Sequence, residues 1–398
     1  MSASNSQALL SDADLLERLI AFDSTSRYSN VPIADFICDY LDRPGIRVER
    51  NFDGSGEKVN LVVTVGPETD PGTRDGLMLS GHMDVVPAEE PEWQSDPFDM
   101  QRLDDRLVGR GTCDMKGFVA LAINTAARAR AAELRSPLAL VLTFDEELGT
   151  IGARHFMETW PHADKPLPRR GIIGEPTSLQ VVRMHKGHAK ATLTVKGTPA
   201  HSGYPHLGHN AIEACGRAVT ALTRLRRELE GETGDNSPFF PEVPFVALNL
   251  ATIHGGSAIN IVPDSCVLEL GYRMLPGMDK APFEDRIRAA LTKALDDEDW
   301  QLEPLNHSPP MLLADDHDLY RQVCELRGQT ETVSASYATD AGWLQESGFD
   351  CLLYGPGNIG VAHKPNEWVP TAELEQCARD LQTLVHKYCI DDRKNGAP

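Results

Sequence analysis

The sequence has 398 residues, and 38 Lys and Arg against 59 Asp and Glu give a formal net charge of −21 with His neutral. This excess of acid argues against binding to a nucleic-acid backbone or to an anionic membrane surface, because both need clustered Lys and Arg. With 41% hydrophobic and 24% charged residues, the composition is that of a globular protein. Its length corresponds to roughly two domains of about 150 residues each.

The sequence does not indicate membrane insertion or export. The most apolar run, residues 117–132, is interrupted by Asn124, Arg128 and Arg130, so no stretch is apolar enough for a transmembrane helix. Residues 1–20 are acidic where a signal peptide is basic and then apolar. The eight cysteines form no CxxC pair, which favours reduced thiols. We therefore expect a cytoplasmic protein without a membrane or nucleic-acid partner.

Apolar runs and helical periodicities alternate through the first half of the chain. They predict strands at Asn60–Val65, Leu77–Ser80 and Leu138–Phe144 and a short buried strand at Gly171–Gly174. Between these strands they predict helices at Met115–Ala132 and Ile151–Thr159. This alternation is typical of an α/β fold with a mostly parallel sheet flanked by helices. In such sheets, reactive groups collect at the carboxyl ends of the strands.

The pattern changes between about residues 183 and 294, which predicts a separate two-layer α+β domain. Its strands are expected at Ala191–Val195, Phe245–Ile253 and Ser265–Tyr272, and its helices at Asn210–Leu229 and Phe283–Leu295. The α/β pattern then returns, with a helix at Asp318–Arg327, a strand at Cys351–Tyr354 and a final amphipathic helix. We predict one α/β domain, residues 1–182 and 296–398, interrupted by a smaller α+β domain, residues 183–295.

Five segments place titratable side chains at predicted strand ends, in a loop or before a helix. They contain His82 with Asp84, Asp114, Asp145 with Glu146 and Glu147, Glu175, and His363. Each has an ordinary structural explanation when taken alone. The first can be a satisfied His–Asp pair, the second a helix N-cap, the third a solvated loop, the fourth an exposed strand terminus and the fifth a loop histidine.

Together, these segments bring two His and several carboxylates to one edge of the predicted sheet. Imidazole and carboxylate ligands favour zinc or a neighbouring first-row metal. Two such ions about 3.5–4 Å apart lower the pKa of bound water towards about 7 and polarise a carbonyl group. The sequence therefore predicts a pair of divalent ions bridged by a carboxylate, which is the chemistry of a hydrolase.

The same residues resemble those of the co-catalytic metallopeptidase and aminoacylase family, whose members carry two zinc ions. The motifs are His82-x-Asp84, Asp114 in DMKG, Glu146-Glu147, Glu175 in GEPT, and His363. Further similar stretches are IGEPTSLQ at 173–180, HKGH at 185–188, IHGG at 253–256 and RMLPGM at 273–278. The resemblance spans almost the whole chain.

The resemblance implies a role for each of these residues. Two Zn²⁺ ions per subunit, replaceable by Co²⁺, would have His82 and Glu175 as ligands of one, Glu147 and His363 as ligands of the other, and Asp114 as the bridge. Asp84 would orient His82, and Glu146 would be the general base that takes a proton from water.

In the inserted domain, the resemblance implies a dimerisation (lid) function. His201 would reach across a homodimer interface to stabilise an oxyanion, while Asn260 and Arg273 would hold the α-carboxylate of the substrate. Arg suits this task because its guanidinium donates two parallel hydrogen bonds. From the residues alone, these three can also be a turn histidine, a strand-end cap and a surface charge.

The implied reaction is removal of the acetyl group from N2-acetyl-L-ornithine. Another N-acyl amino acid, an acylated diamino acid or a dipeptide is an alternative substrate, because such enzymes would keep every metal ligand. A non-catalytic metal or amino-acid binding protein is the alternative from a different class.

Overall fold

A computed structural model describes residues 8–391, which divide into two compact units. The first unit contains residues 8–183, 313–333 and 339–391. The second contains residues 184–312 and 334–338. The chain therefore leaves the first unit once to build most of the second and then returns.

Both units combine helices and strands, numbered here in chain order. Helices α1 to α9 are Asp12–Ile20, Val31–Tyr40, Lys116–Arg128, Ile151–Thr159, Ala211–Leu229, Lys280–Ala294, Asp318–Arg327, Ala341–Glu346 and Thr371–Val385. Strands β1 to β16 are Ile46–Phe52, Val59–Val65, Leu77–His82, Gln101–Arg102, Arg106–Val108, Leu138–Thr143, Arg170–Ile173, Val182–His185, His188–Lys196, Ala247–Gly255, Ser265–Arg273, Asp299–Ser308, Met311–Leu312, Val333–Ala335, Asp350–Leu353 and Trp368–Pro370. Short helical turns lie at Ala131–Glu133, Pro205–Leu207, Ser237–Phe239 and His386–Ile390.

The first unit is built on a sheet in the order β1-β2-β6-β3-β7-β15. Strands β6, β3, β7 and β15 are parallel to one another, whereas β1, β2 and β6 pair antiparallel. The expected α/β fold with flanking helices is confirmed, and the sheet is mixed. The short connection from β1 to β2 explains the first antiparallel pair, because a parallel crossover needs a longer one.

Burial explains why the central strands read as continuous apolar runs. Every residue of β3 and β6 is buried, as expected of strands covered on both faces. Helix α3 is buried from Lys116 to Ala126 and packs against both strands, with α1 and α9 beside it. Helices α4 and α8 pack against each other. Helix α4 also packs against β2, and α8 packs against β15.

The second unit has an antiparallel sheet in the order β10-β11-β9-β12, with α5 packed against β9, β10 and β11. Alternate residues of β9 are buried, so one sheet face joins the core and the other is polar. Strand β12 pairs with β9 from Asp299 opposite Lys196 to Ser308 opposite His188. The unit therefore continues to residue 312, beyond the boundary at 295 expected from the sequence.

All eight cysteines are free thiols. Within residues 8–391, no helix has the length and apolar character needed to cross a membrane.

Candidate metal centre

Three parallel strands bring the predicted residues of the first unit to one sheet edge. In the β3–β6 ladder, His82 lies opposite Thr143, and the acidic segment containing Glu146 and Glu147 follows directly. Strand β7 pairs with β3 on its other side, and Glu175 comes two residues after its end. Because these strands run in the same direction, their carboxyl ends meet and their terminal side chains converge.

Asp114 reaches the same place from the turn before α3. The N-cap position of α3 is Met115, which makes no side-chain capping bond, so Asp114 is not the helix cap that its position also allowed. Its Oδ1 lies 3.0 Å from His82 Nε2, and its Oδ2 lies 3.2 Å from His363 Nε2. One carboxylate therefore contacts both histidines, each through a different oxygen.

The ligating atoms form two groups that share Asp114. One comprises His82, Asp114 and Glu175, and the other comprises Asp114, Glu147 and His363, with all atoms in each group within 4.8 Å of one another. His363 Nε2 also lies 3.0 Å from Glu147. The nitrogen and carboxylate donors fit two divalent cations of the zinc type, because each group supplies three ligands and the shared carboxylate has one oxygen for each.

The carboxylates of the site repel one another. Burial raises the pKa of Glu175 well above its usual value, and the charge of Asp114 adds to this effect. Burial and the charge of Asp114 likewise raise the pKa of Glu147 to about 7. Hydrogen bonds to Asp114 and Glu147 raise the pKa of His363 to about 10. Bound cations would relieve this repulsion, which is why such a cluster suits a metal centre.

Glu146 differs from its neighbour. Its carboxylate makes no hydrogen bond or ion pair with another residue in the described chain, whereas Glu147 contacts His363. Burial raises the pKa of Glu146 well above its usual value, while the nearby His82 opposes this shift. A half-buried carboxyl group with a raised pKa and no protein partner is suited to accept a proton.

Asp84 holds this acidic segment in position. Its two carboxylate oxygens accept hydrogen bonds from the backbone N–H groups of Glu146, at 3.1 Å, and Glu147, at 3.3 Å, and one also accepts from the Ser26 hydroxyl at 2.7 Å. His82 Nδ1 lies 2.9 Å from the main-chain oxygen of Asp84 but 3.6 Å from its carboxylate. The expected contact with His82 is therefore made mainly by the backbone, and the carboxylate positions residues 146 and 147.

Glu367 is a supporting residue that the sequence interpretation missed. Its Oε1 accepts the backbone N–H groups of Gly111, Cys113 and Asp114 at 2.9–3.0 Å, and its Oε2 pairs with Arg110 at 2.7 Å. Both partners of this ion pair are 1% exposed. Its signal was weak, because a lone Glu near His363 in the sequence resembles any loop carboxylate.

A second missed residue is Asp340, which precedes α8. One of its oxygens accepts a hydrogen bond from Thr143, at the end of β6, over 2.5 Å. Its other oxygen is buried without a hydrogen-bond partner, and burial raises the pKa of Asp340 to about 6. No motif marked this residue, since the Thr-Asp pair before a helix also fits a simple cap.

The other three predicted site residues lie in the second unit. His201 and Asn260 are neighbours, since the Ser202 N–H donates to the Asn260 carbonyl at 2.9 Å and residue 201 bridges to Ile261. His201 Nδ1 accepts the N–H of Gly203 at 3.0 Å, so in the neutral ring Nε2 carries the proton. Arg273 is half-buried at the end of β11.

The fold and this arrangement of ligands define the class of protein. The sequence profile of Peptidase family M20/M25/M40 matches residues 78–387, and the chain belongs to this family. The family consists of metal-dependent hydrolases, which is consistent with the two ligand groups around Asp114.

Two relatives that match almost the whole chain are acetylornithine deacetylases. The chain is 35% identical over 381 residues to acetylornithine deacetylase from Myxococcus xanthus, covering 94% of this chain and 96% of the relative. It is 33% identical over 373 residues to acetylornithine deacetylase from Pectobacterium atrosepticum, with 93% and 94% coverage.

Solved structures share the fold at lower sequence identity. A metallo-carboxypeptidase of the M20 family from Sulfolobus solfataricus gives a TM-score of 0.73 at 16% identity, over 95% of this chain and 99% of that chain. A dinuclear metal binding peptidase of the M20 family from Bacillus subtilis gives 0.65 at 15% identity, over 94% and 97%.

Proposed function

We propose that the protein is a dinuclear zinc amidohydrolase that converts N2-acetyl-L-ornithine to L-ornithine and acetate in the cytoplasm, a step of arginine biosynthesis. The observation that carries this proposal is Asp114, whose two oxygens face two histidines in two adjoining ligand groups. The similarity to acetylornithine deacetylases along almost the whole chain supports this substrate.

In this proposal the ligands divide as the two groups do. His82 and Glu175 would hold one zinc ion, Glu147 and His363 would hold the other, and Asp114 would serve both. Co²⁺ could take the place of zinc. When bound, the ions polarise the amide carbonyl and lower the pKa of water.

The protein side chains handle the proton and position the substrate. Glu146 accepts a proton from the attacking water and later donates it to the leaving amine. His201 donates its Nε2–H to the oxyanion that forms at the amide carbon. Nε2 carries the proton in the neutral ring because Nδ1 accepts a hydrogen bond from the Gly203 N–H. Asn260 and Arg273 bind the α-carboxylate.

The same proposal includes a homodimer in which His201 serves the partner's active site. Strand β10 is an edge strand of the second-unit sheet, so its outer hydrogen-bonding groups are available to another chain. Large apolar side chains are exposed in this unit at Tyr204, Leu207, Ile253, Ile259 and Ile261. Exposed apolar groups close to His201 in the sequence and at an open edge support an interface there.

The test is amine release from a substrate panel by zinc-loaded protein, with the bound metal measured in parallel. The panel contains N2-acetyl-L-ornithine, other N-acetyl-L-amino acids, an N-succinylated diamino acid and dipeptides. We expect the highest kcat/KM for N2-acetyl-L-ornithine. A higher value for another compound would transfer the proposal to that substrate, and no release from any compound would favour a non-catalytic binding protein.

A further inference from the structure

Arg273 has a basic neighbour at the same end of the second-unit sheet. Strand β11 ends at Arg273 and β9 begins at His188, and the two strands pair with Tyr272 opposite Ala189 and Gly271 opposite Lys190. This register continues to place Arg273 beside His188. Both residues are half-buried, and both alternate with buried residues that face the core, so they share the polar face of the sheet.

The His188 side chain lies close to Gly271 on this face. A Cβ at Gly271 would lie 3.6 Å from His188 Nε2, so the imidazole lies over the backbone of β11 two residues before Arg273. A larger residue at position 271 would stand between the ring and the strand. The short distance places the imidazole on the side of β11 that carries the guanidinium.

The positive charge at this point has no protein counter-ion. In the described part of the chain, neither Arg273 nor His188 forms a side-chain hydrogen bond or ion pair. Glu269, the carboxylate on the same face of β11, accepts a hydrogen bond from Thr252 at 2.9 Å. A half-buried guanidinium without a partner costs free energy, and an anionic ligand would remove that cost.

At neutral pH, His188 is an uncharged hydrogen-bond donor. Burial, together with the charges of Arg273 and Lys190, lowers the pKa of His188 to about 4. At neutral pH the ring therefore carries one N–H, which can donate to a carboxylate oxygen beside Arg273. Lys186, by contrast, already donates to the carbonyls of Val243 and Phe245 and is not available in the same way.

We propose that His188 is a second carboxylate-binding residue, which donates one hydrogen bond to the substrate α-carboxylate while Arg273 donates the others. The inference rests on the proposed function, which assigns that carboxylate to Arg273 and Asn260. It adds a specificity residue that selects substrates with a free carboxylate next to the acylated nitrogen.

The kinetic test compares His188→Phe, which keeps an aromatic ring without a donor, with His188→Gln, which keeps a side-chain N–H. For N2-acetyl-L-ornithine, we expect His188→Phe to raise KM about tenfold with kcat nearly unchanged, the usual effect of losing one hydrogen bond to a charged group. His188→Gln should recover most of the loss. Lys196→Ala, at the exposed far end of β9, is the surface control.

The carboxamide analogue of the substrate separates recognition from a structural effect. Because it lacks the carboxylate, we expect native protein and His188→Phe to turn it over with similar kcat/KM. An equal loss for both substrates would overturn the inference, since the substitution would then act on the fold.

A binding test distinguishes this inference from the proposed function. Phenylglyoxal labelling of Arg273, followed by peptide mass spectrometry, is measured with and without N2-acetyl-L-ornithine. We expect N2-acetyl-L-ornithine to protect Arg273 from phenylglyoxal in native protein and to protect it much less in His188→Phe. If native protein lacked deacetylase activity but showed this difference, the carboxylate site would stand and the proposed function would fall. Equal protection in both proteins would contradict the role of His188.

Discussion

Glu367 shows how one buried side chain can hold the turn that carries a proposed metal ligand. One carboxylate oxygen accepts hydrogen bonds from the backbone N–H groups of Gly111, Cys113 and Asp114. The other oxygen pairs with Arg110. The turn that carries Asp114 is therefore held from behind by a charge that never contacts the ligand atoms themselves. Such outer contacts fix the direction of a metal ligand and influence affinity strongly.

Glu367→Gln should weaken zinc binding by about 10- to 100-fold, as measured by competition with a chelator. It should also lower the free energy of unfolding by about 3 kcal/mol, because buried Arg110 loses its close carboxylate partner and keeps only Glu90, at 3.8 Å. Glu92→Gln, at an exposed carboxylate, is the matched control. Unchanged zinc affinity in Glu367→Gln would mean that the turn does not depend on this charge.

Glu146 and Glu147 give a second test at this scale because they are adjacent but make different contacts. Glu146→Gln should lower kcat by roughly 100- to 10,000-fold, the usual contribution of a general base, while zinc content stays at the native level. Glu147→Gln should instead lower zinc content, since that residue belongs to a ligand group. Near-normal turnover by fully loaded Glu146→Gln would rule out the assignment of the base.

Some of these residues could be predicted from the sequence and others could not. His82 and Glu175 follow short apolar runs, so the parallel-sheet pattern alone places them at one edge. Glu367 and Asp340 act through backbone or hydroxyl groups that come close only after folding, and local patterns carry no trace of such contacts. The Asp84 carboxylate illustrates the same limit, because its partners lie about 60 residues away in the chain.

Beside the site, the residue that follows β7 lies very close to helix α3. A Cβ at Gly174, just after β7 and before Glu175, would lie 1.8 Å from the Phe118 ring of α3. The glycine therefore lets the strand end and the helix approach each other, and this approach helps to place Glu175. Gly216, in the middle of α5, is the opposite case, since nothing lies within 4 Å of its Cβ position.

Substituting alanine at these two glycines should have opposite effects. Gly174→Ala forces the strand and the helix apart and should lower the free energy of unfolding by about 1 to 3 kcal/mol. Gly216→Ala should raise it by about 0.5 to 1 kcal/mol, because alanine favours an exposed helix interior. Thermal unfolding midpoints would report both changes. A stabilising Gly174→Ala would show that the contact with Phe118 relaxes easily.

Element boundaries were predictable where periodicity was strong. Helices Ile151–Thr159 and Asp318–Arg327 have the predicted bounds, whereas α3 ends at Arg128 because Ala129 is already extended. Strand β12 was missed, since half of its residues are exposed and it contains Pro304, so it shows little apolar alternation. This missed strand also explains the different end of the second unit.

At the scale of the whole molecule, the two units carry different parts of the proposed machinery. The metal ligands and Glu146 all lie in the first unit, while His201, Asn260 and Arg273 lie in the second. If His201 serves the partner's site, a defect in Glu146 and a defect in His201 belong to different subunits of one active site. Two inactive variants can then complement each other.

Mixing Glu146→Gln with His201→Ala should restore activity after subunit exchange. In a statistical mixture half of the dimers are mixed, and each has one site with both native residues, so about a quarter of native activity is expected. Each variant alone, treated identically, provides the control. Proven exchange without any recovery would show that His201 does not act on the partner's substrate.

The interrupted path of the chain through the first unit also affects its synthesis. The ligands begin at His82 and finish at His363, with the second unit between them. At about 5 to 20 residues per second, a ribosome needs roughly 15 to 55 seconds to pass over the intervening 280 or so residues. During that interval the nascent chain carries the proposed acidic ligands without their last histidine, so the proposed pair of ions can be completed only near the end of translation or after release.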